Sequence, residues 1–341
     1  MRLRRVSCDI PGLTRRRAGE VFEYVDLEGR RIEDPAVLTR VEGLGIPPAW
    51  EDVWICPVPN GHLQAVGTDA RGRRQYLYHP AWRERRDREK HERVLDVARR
   101  LPAAREKVAA DLAGRGLTRE RVLACTFRLL DLGFFRIGGE DYAEENGTYG
   151  LATLRREHVR VHRDGRVTFD YIAKSGKHRL VTLHDPAVHA VISALARRRR
   201  PEQELLGYVD ARRVGGAWHD VTSAEINEYV KGLLGDASAK DFRTWHATVL
   251  AAMALAVSTP TLESATSRKR AVSRAMKEVS EYLGNTPTVA RASYVDPRVI
   301  DKFHDGQTVQ PVLERIGEGA APDAPATQGA VEDAVLDLLT S

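Results

Sequence analysis

Cysteine is scarce in this chain. Cys8, Cys56 and Cys125 are its three cysteines, far apart and with no CxxC pairing, so neither a zinc site nor a disulfide framework is supported. Long apolar runs are missing as well. No stretch of about 20 apolar residues is present to span a bilayer, and no apolar signal-peptide core follows the basic opening MRLRRVSCDIPG. No carboxylate cluster has metal-ligand spacing, and no internal repeat is visible. These absences argue against secretion, a membrane anchor and a metal nuclease. They give no reason to expect any cofactor, and they favour a reducing cytoplasm.

Charge is abundant. Lys and Arg number 53 against 48 Asp and Glu, a net +5, and charged residues reach 30% of the 341. The excess is uneven: residues 317–341 hold five acids (Glu318, Asp323, Glu332, Asp333, Asp337) and no Lys or Arg, so residues 1–316 carry +10. A basic body points to a polyanionic partner, most simply nucleic acid.

The pattern along the chain predicts an α+β protein. Residues 1–78 read as a small β-rich domain: Val21–Val25 runs to a Glu28-Gly29 turn, Val53–Ile55 runs to Asn60-Gly61, and Arg74–Tyr78 alternates. Residues 79–91 read as a charged linker, and the charged stretch Trp82–Arg93, with RERRDREKHER at its heart, as that linker or a first solvated helix, with a phosphate-facing role as the alternative. Residues 92–314 read as a larger, mainly helical domain. Ile226, Tyr229, Val230, Leu233 and Leu234 keep helical spacing behind a Thr222/Glu225 capping box. Val272, Ala275, Met276, Val279 and Leu283 do the same before Gly284, and Tyr282 is expected in the core beside them, as is Tyr229. A three-stranded antiparallel meander interrupts the helices: Val159–Val161, then Val167–Tyr171 after Asp164-Gly165, then Leu180–Leu183 after the turn Lys174-Ser175-Gly176-Lys177. Residues 315–341 are acidic: GEGAAPDAPATQGA is of low complexity and expected to be disordered, and the tail ends in a short amphipathic AVEDAVLDLL.

Four segments contain the parts that phosphodiester transfer needs. Arginines neutralise charge on the non-bridging oxygens, an acid protonates the leaving oxygen, and a tyrosine is the nucleophile. FFRIGGEDYAEENGTYGLATLRREHV contains Arg136, YIAKSGK contains Lys174, KDFRTWHATVLAAMAL contains Arg243, and LGNTPTVARASYVDP contains Tyr294. Taken singly, each has an ordinary explanation as a surface charge, a turn residue, an ion pair or a packed ring. In this order and context they resemble type IB DNA topoisomerases, close to the compact bacterial and poxviral members, and IPPAW and GTDARGRRQYLYH extend the resemblance to roughly residues 20–305.

The resemblance implies a two-domain clamp acting on double-stranded DNA as a monomer, with no obligate protein partner, no membrane and no cofactor, associated with the nucleoid. It implies relaxation of supercoils through a 3′-phosphotyrosine at Tyr294, with Arg136 and Arg243 stabilising the transition state and Lys174 as general acid. Asn285, nine residues before Tyr294, stands where many members have histidine; an amide can donate to a non-bridging oxygen but cannot shuttle a proton. Its alternative role is a helix cap after Gly284. The resemblance further implies DNA contacts at Gln75, Tyr76, Tyr78, Tyr142 and Lys240. Gly139 and Asp141 stand where poxviral members tend to be basic. Two alternatives remain. A tyrosine recombinase shares the same logic but carries His-x-x-Arg where this chain has Lys240-Asp241-Phe242-Arg243. A non-catalytic DNA-binding clamp would leave Lys174 and Tyr294 without a purpose.

Overall fold

The computed structural model describes every residue except 1, 20, 141–142, 144–145, 199–202, 211–216, 259–263 and 318–327. The chain divides into two compact units, residues 1–90 and 91–341, and the architecture is α+β.

The first unit is a five-stranded antiparallel sheet in the order β2-β1-β3-β4-β5, with helix α1 (Pro35–Gly43). Its strands are β1 (Leu13–Ala18), β2 (Val21–Val25), β3 (Glu51–Ile55), β4 (Leu63–Thr68) and β5 (Arg74–Tyr78). The core is small, built on Leu13, Tyr24, Val41, Val53, Ile55 and Ala65. β1 and β4 escape a reading of alternation for opposite reasons. β1 is LTRRRA, with only Leu13 buried, whereas β4 is buried along nearly its whole length and shows no polar face. The arginines of β1 have a local use: Arg15 donates to the carbonyls of Ile46 at 3.0 Å, Pro47 at 3.0 Å and Trp50 at 2.7 Å, fixing the IPPAW turn.

Residues 79–91 are not an extended linker. From Pro80 they form the start of one continuous helix, α2 (Pro80–Leu112), and the division between the units falls inside it. The charged stretch supports the helix itself: Arg88 pairs with Glu84, Arg85 and Arg86 with Glu89, and Lys90 with Asp87, all three or four residues apart.

In the second unit, α3 (Arg119–Gly133), α4 (Pro186–Arg197), α5 (Ser223–Leu234), α6 (Ala239–Ser258) and α7 (Ala265–Leu283) surround one large core. Short helices α8 (Pro287–Ser293), α9 (Pro297–His304) and α10 (Gln310–Gly317) follow. The meander is β6 (Val159–Val161), β7 (Arg166–Ala173) and β8 (Lys177–His184), and β9 (Gly207–Asp210) pairs with β10 (Ala217–Asp220). The Thr222/Glu225 capping box and the Gly284 stop both form. Tyr229 is partly buried and donates to Asp111 at 2.8 Å, but Tyr282 is 57% exposed and not a core residue. It lies one residue off the apolar stripe, where the helix turns to solvent.

The expectation of disorder needs correction for the described residues of the tail. Residues 310–317 are helical, and α11 (Ala330–Thr340) packs Val331, Val335 and Leu339 into the core. Buried Glu332 accepts from Arg105 at 2.6 and 3.0 Å and from the indole of Trp245 at 2.8 Å. The alternation of acids with apolar residues is an amphipathic helix with a specific partner.

Candidate active site

Arg136 leaves α3 through Phe134, which takes a left-handed conformation (φ 54°) as the helix cap. Phe135 then inserts into the core against Phe169 and Tyr171 of β7, at ring distances of 5.0 and 6.2 Å. This holds the backbone so that the Arg136 carbonyl accepts from Leu151 N at 2.8 Å. Gly138 and Gly150 permit that approach. A Cβ on Gly150 would lie 2.4 Å from Gly138 N and 2.8 Å from the Arg136 carbonyl, so the glycines of FFRIGG and NGTYG set the arginine's position.

Arg243 projects from α6 and is 3% exposed. Its guanidinium donates to the Phe134 carbonyl and, at 2.8 Å, to the carbonyl of Leu283 at the end of α7. It also sits 5.2 Å from the centre of the Tyr294 ring. One side chain thus ties together the ends of two helices and Tyr294. Burial, together with the neighbouring Arg136, pushes the Arg243 pKa down to about 10, which still leaves it charged at neutral pH.

Tyr294 caps α8 and is 8% exposed. Its backbone is held through the next residues: Asp296 N donates to Thr248 Oγ1 of α6 at 3.1 Å. Burial raises the phenol's pKa, but the positive charges of Arg243 and Arg136 outweigh it, and the net shift is downward from the usual tyrosine value.

Asn285 follows Gly284, whose φ is 63°. Its backbone N–H donates to Ser280 O at 3.0 Å, closing the helix end, while its side-chain Oδ1 accepts from Arg136 Nη2. The capping work therefore falls to the backbone. Among the described residues the side-chain Nδ2 is buried without a hydrogen bond of normal geometry, and the Asn285 side chain is close enough to the Tyr294 hydroxyl to favour its phenolate.

Lys174 follows buried Ala173 at the end of β7, and Ser175 (φ 68°) and Gly176 (φ 70°) make the tight turn into β8. The lysine is exposed and lines a cavity of about 410 Å³ together with Arg136, Tyr149, Lys240, Arg243 and Tyr294. Four cations and no carboxylate line it among the described residues. Its chemistry suits a phosphodiester.

The structure therefore brings Arg136, Lys174, Arg243 and Tyr294 to one cavity, with Lys240 on its lining and Asn285 bonded to Arg136. Over residues 79–310 the chain matches the sequence profile of the eukaryotic DNA topoisomerase I catalytic core, and over 21–69 that of the bacterial DNA topoisomerase IB N-terminal domain. This chain belongs to the type IB DNA topoisomerase family. It is an isomerase acting on DNA. It is 28% identical to DNA topoisomerase 1B of Acanthamoeba polyphaga mimivirus over 288 residues, covering 83% of this chain and 85% of the relative. DNA topoisomerase 1B of vaccinia virus (strain Copenhagen) is 23% identical over 245 residues, 70% of this chain and 72% of that protein.

The N-terminal positions of this topoisomerase divide by face. Tyr76 and Tyr78 lie exposed on one face of edge strand β5, with their rings stacked at 6.3 Å. Gln75 faces the opposite side, and its amide donates to Asp69 at 2.9 Å. Tyr142 and Asp141 lie outside the described residues. Two participants had no distinguishing mark in the sequence. Arg179 of β8 donates to the carbonyls of Glu281 at 3.2 Å and Tyr282 at 2.8 Å, joining the hairpin that carries Lys174 to the helix end that precedes Asn285. Thr148, inside the first-arginine segment, lines the cavity with a buried hydroxyl that has no partner among the described residues.

Proposed function

We propose that this enzyme relaxes supercoiled duplex DNA by nicking and resealing one strand, without ATP or a metal ion, through a 3′-phosphotyrosine at Tyr294. The phenolic oxygen of Tyr294 attacks the scissile phosphorus and the bond to the 5′ oxygen breaks. Lys174 delivers a proton to that oxygen as it leaves. Arg136, Arg243 and the amide of Asn285 bind the non-bridging oxygens, whose charge grows in the transition state. In the reverse step the 5′ hydroxyl attacks the phosphotyrosine and releases the phenol. The phosphodiester energy is kept in the covalent bond, so resealing needs no nucleotide. Exposed Tyr76 and Tyr78, with Lys240, contact the duplex, and the protein acts as a monomer.

The observation that carries this reading is the position of Tyr294 in a cavity lined by four cations, its ring against the Arg243 guanidinium. Denaturing the protein during turnover on a nicked or supercoiled duplex in EDTA, without ATP, is expected to trap it on a 3′ end. Proteolysis is expected to place the adduct on the peptide containing Tyr294. The Tyr294→Phe variant keeps the ring's packing and is expected to bind DNA but not relax it. An adduct on Tyr229 or Tyr282, or relaxation by Tyr294→Phe at the wild-type rate, sinks the proposal. Joining of strands between two different duplexes would favour a recombinase instead.

A further inference from the structure

The first unit contains a second basic concavity, built from three segments far apart in sequence. Residues 4–6 are pinned against the 60–62 turn: Arg4 N donates to Asn60 O at 2.9 Å, His62 N to Arg4 O at 2.9 Å, and Val6 N to His62 Nδ1 at 3.2 Å. The end of β5 joins them, because His79 N donates to His62 O at 2.9 Å and Trp82 N to His79 O at 2.9 Å. The first turns of α2 are thereby set beside His62. The result is a recess lined by Arg5, His62, Tyr78, Trp82, Arg83 and Arg86, wholly within residues 1–90.

Its charges are not all equivalent. Arg85, Arg86 and Arg88 are each paired with Glu84 or Glu89 along the helix, and Asp87, which also lines the recess, is taken up by Lys90 at 3.1 Å. Arg5 and Arg83 are exposed and form no ion pair among the described residues. His62 accepts from Val6 at Nδ1, so as a neutral ring it keeps its proton on Nε2 and can donate there. Burial, with Arg5 and Arg85 close by, lowers its pKa and keeps it neutral. The indole of Trp82 already has Arg85 over it at 4.5 Å and the His62 ring edge-on at 4.6 Å. It has little open face on which a base could stack. What the recess offers is a set of N–H donors and two unneutralised guanidiniums, which match phosphate rather than base edges.

We propose that this recess binds the phosphodiester backbone of duplex DNA, with Arg5 and Arg83 as its phosphate contacts. The proposal rests on the topoisomerase reading and separates the charged stretch of α2 into two roles. Arg83 faces phosphate, whereas Arg88 and its neighbours stabilise the helix.

The test uses the full-length chain carrying Tyr294→Phe, so that only noncovalent binding is measured, on a short duplex over a range of salt. Each phosphate contact contributes about 0.9 to the slope of log affinity against log salt. Adding Arg5→Gln with Arg83→Gln is expected to make the slope shallower by about 1.8. The control is Arg30→Gln with Arg88→Gln, which removes the same charge from exposed arginines already paired with Asp26, Glu28 and Glu84, and it is expected to leave the slope nearly unchanged. A slope unaltered by the Arg5/Arg83 pair, or altered equally by the control pair, overturns the site. If the Tyr294→Phe chain binds no duplex at all, the recess proposal and the topoisomerase reading fall together. Normal binding with an unaltered slope removes the recess alone.

Discussion

A tyrosine hydroxyl has an ordinary pKa near 10 and is almost wholly protonated at neutral pH. At Tyr294 the charges of Arg243 and Arg136 favour the phenolate against the cost of burial, and in the proposed mechanism they stand in for a base. The leaving oxygen still needs a proton. Lys174→Ala is expected to slow single-turnover cleavage by about 10²- to 10⁴-fold, the usual scale of general-acid catalysis. A substrate with sulfur at the bridging 5′ position leaves without much protonation, so it should restore most of the rate. Equal impairment on both substrates would show that Lys174 is not the acid. Asn285 is the more individual residue. Its amide accepts from Arg136 with one atom and, among the described residues, keeps the other buried without a well-formed hydrogen bond, beside the Tyr294 hydroxyl. Asn285→Ala removes both functions, and loss of one such donor typically costs about 2.7–4 kcal/mol of transition-state binding, so a fall of about 10²-fold or more in cleavage is expected. A neutral imidazole also has one acceptor and one donor. Asn285→His should therefore be active above its pKa, near 6.5 in unperturbed form, and lose activity below it, as the ring gains a proton and can no longer accept from Arg136. A pH–rate profile checks this, and an Asn285→Ala variant as fast as wild type would leave the residue no catalytic role.

Among the elements, α11 has the amphipathic character that AVEDAVLDLL suggests, but its partner is set only by the fold. Glu332 is held by Arg105 and by Trp245, and Arg105 also binds Asp131 through two bonds of 2.9 Å. Asp131 in turn lies 3.3 Å from His246, and burial of its carboxylate is outweighed by His246 and Arg105, which hold its pKa well below the usual range. Trp245 and His246 follow Arg243 on α6, so this network backs the helix that carries Arg243 of the candidate site. Arg105 keeps its two bonds to Asp131 when Glu332 is removed, so what is lost is the charge-assisted bonding and the acceptor of the Trp245 indole, about 1.5–3 kcal/mol. Glu332→Ala is expected to lower stability by about that amount in chemical denaturation, and deletion of residues 328–341 to impair relaxation. A Glu332→Ala variant as stable as wild type would show that α11 docks without contributing. The meander is a contrasting element. Its turns and alternation are local, and all three strands form where the sequence places them.

For the whole molecule, the division of charge takes a different meaning once Glu332 is paired inside the fold. Residues 1–316 carry +10, enough to make DNA affinity strongly dependent on salt. The cavity holding Tyr294 draws all its described lining residues from the second unit, and the proposed phosphate recess draws all of its own from the first. The function proposed above takes the protein as a monomer. The initial rate of plasmid relaxation is therefore expected to rise linearly with protein concentration. A second-order dependence, or a dimer as the active species in sedimentation with DNA, would exclude a monomer.

The sequence by itself determined the order Arg136, Lys174, Arg243, Tyr294 and the meander that presents the lysine. These are legible because turn chemistry, alternation and motif context act over a few residues. Only the tertiary structure decided that Gln75 faces Asp69 while Tyr76 and Tyr78 face outward, that the Asn285 side chain is not the helix cap, and that Arg5 belongs beside His62 and Arg83. It alone joined Glu332 to Arg105, 227 residues away. Such contacts are made by side chains whose neighbours are set by packing of distant segments, and a charge next to its partner in space looks, in the sequence, like any other solvated charge.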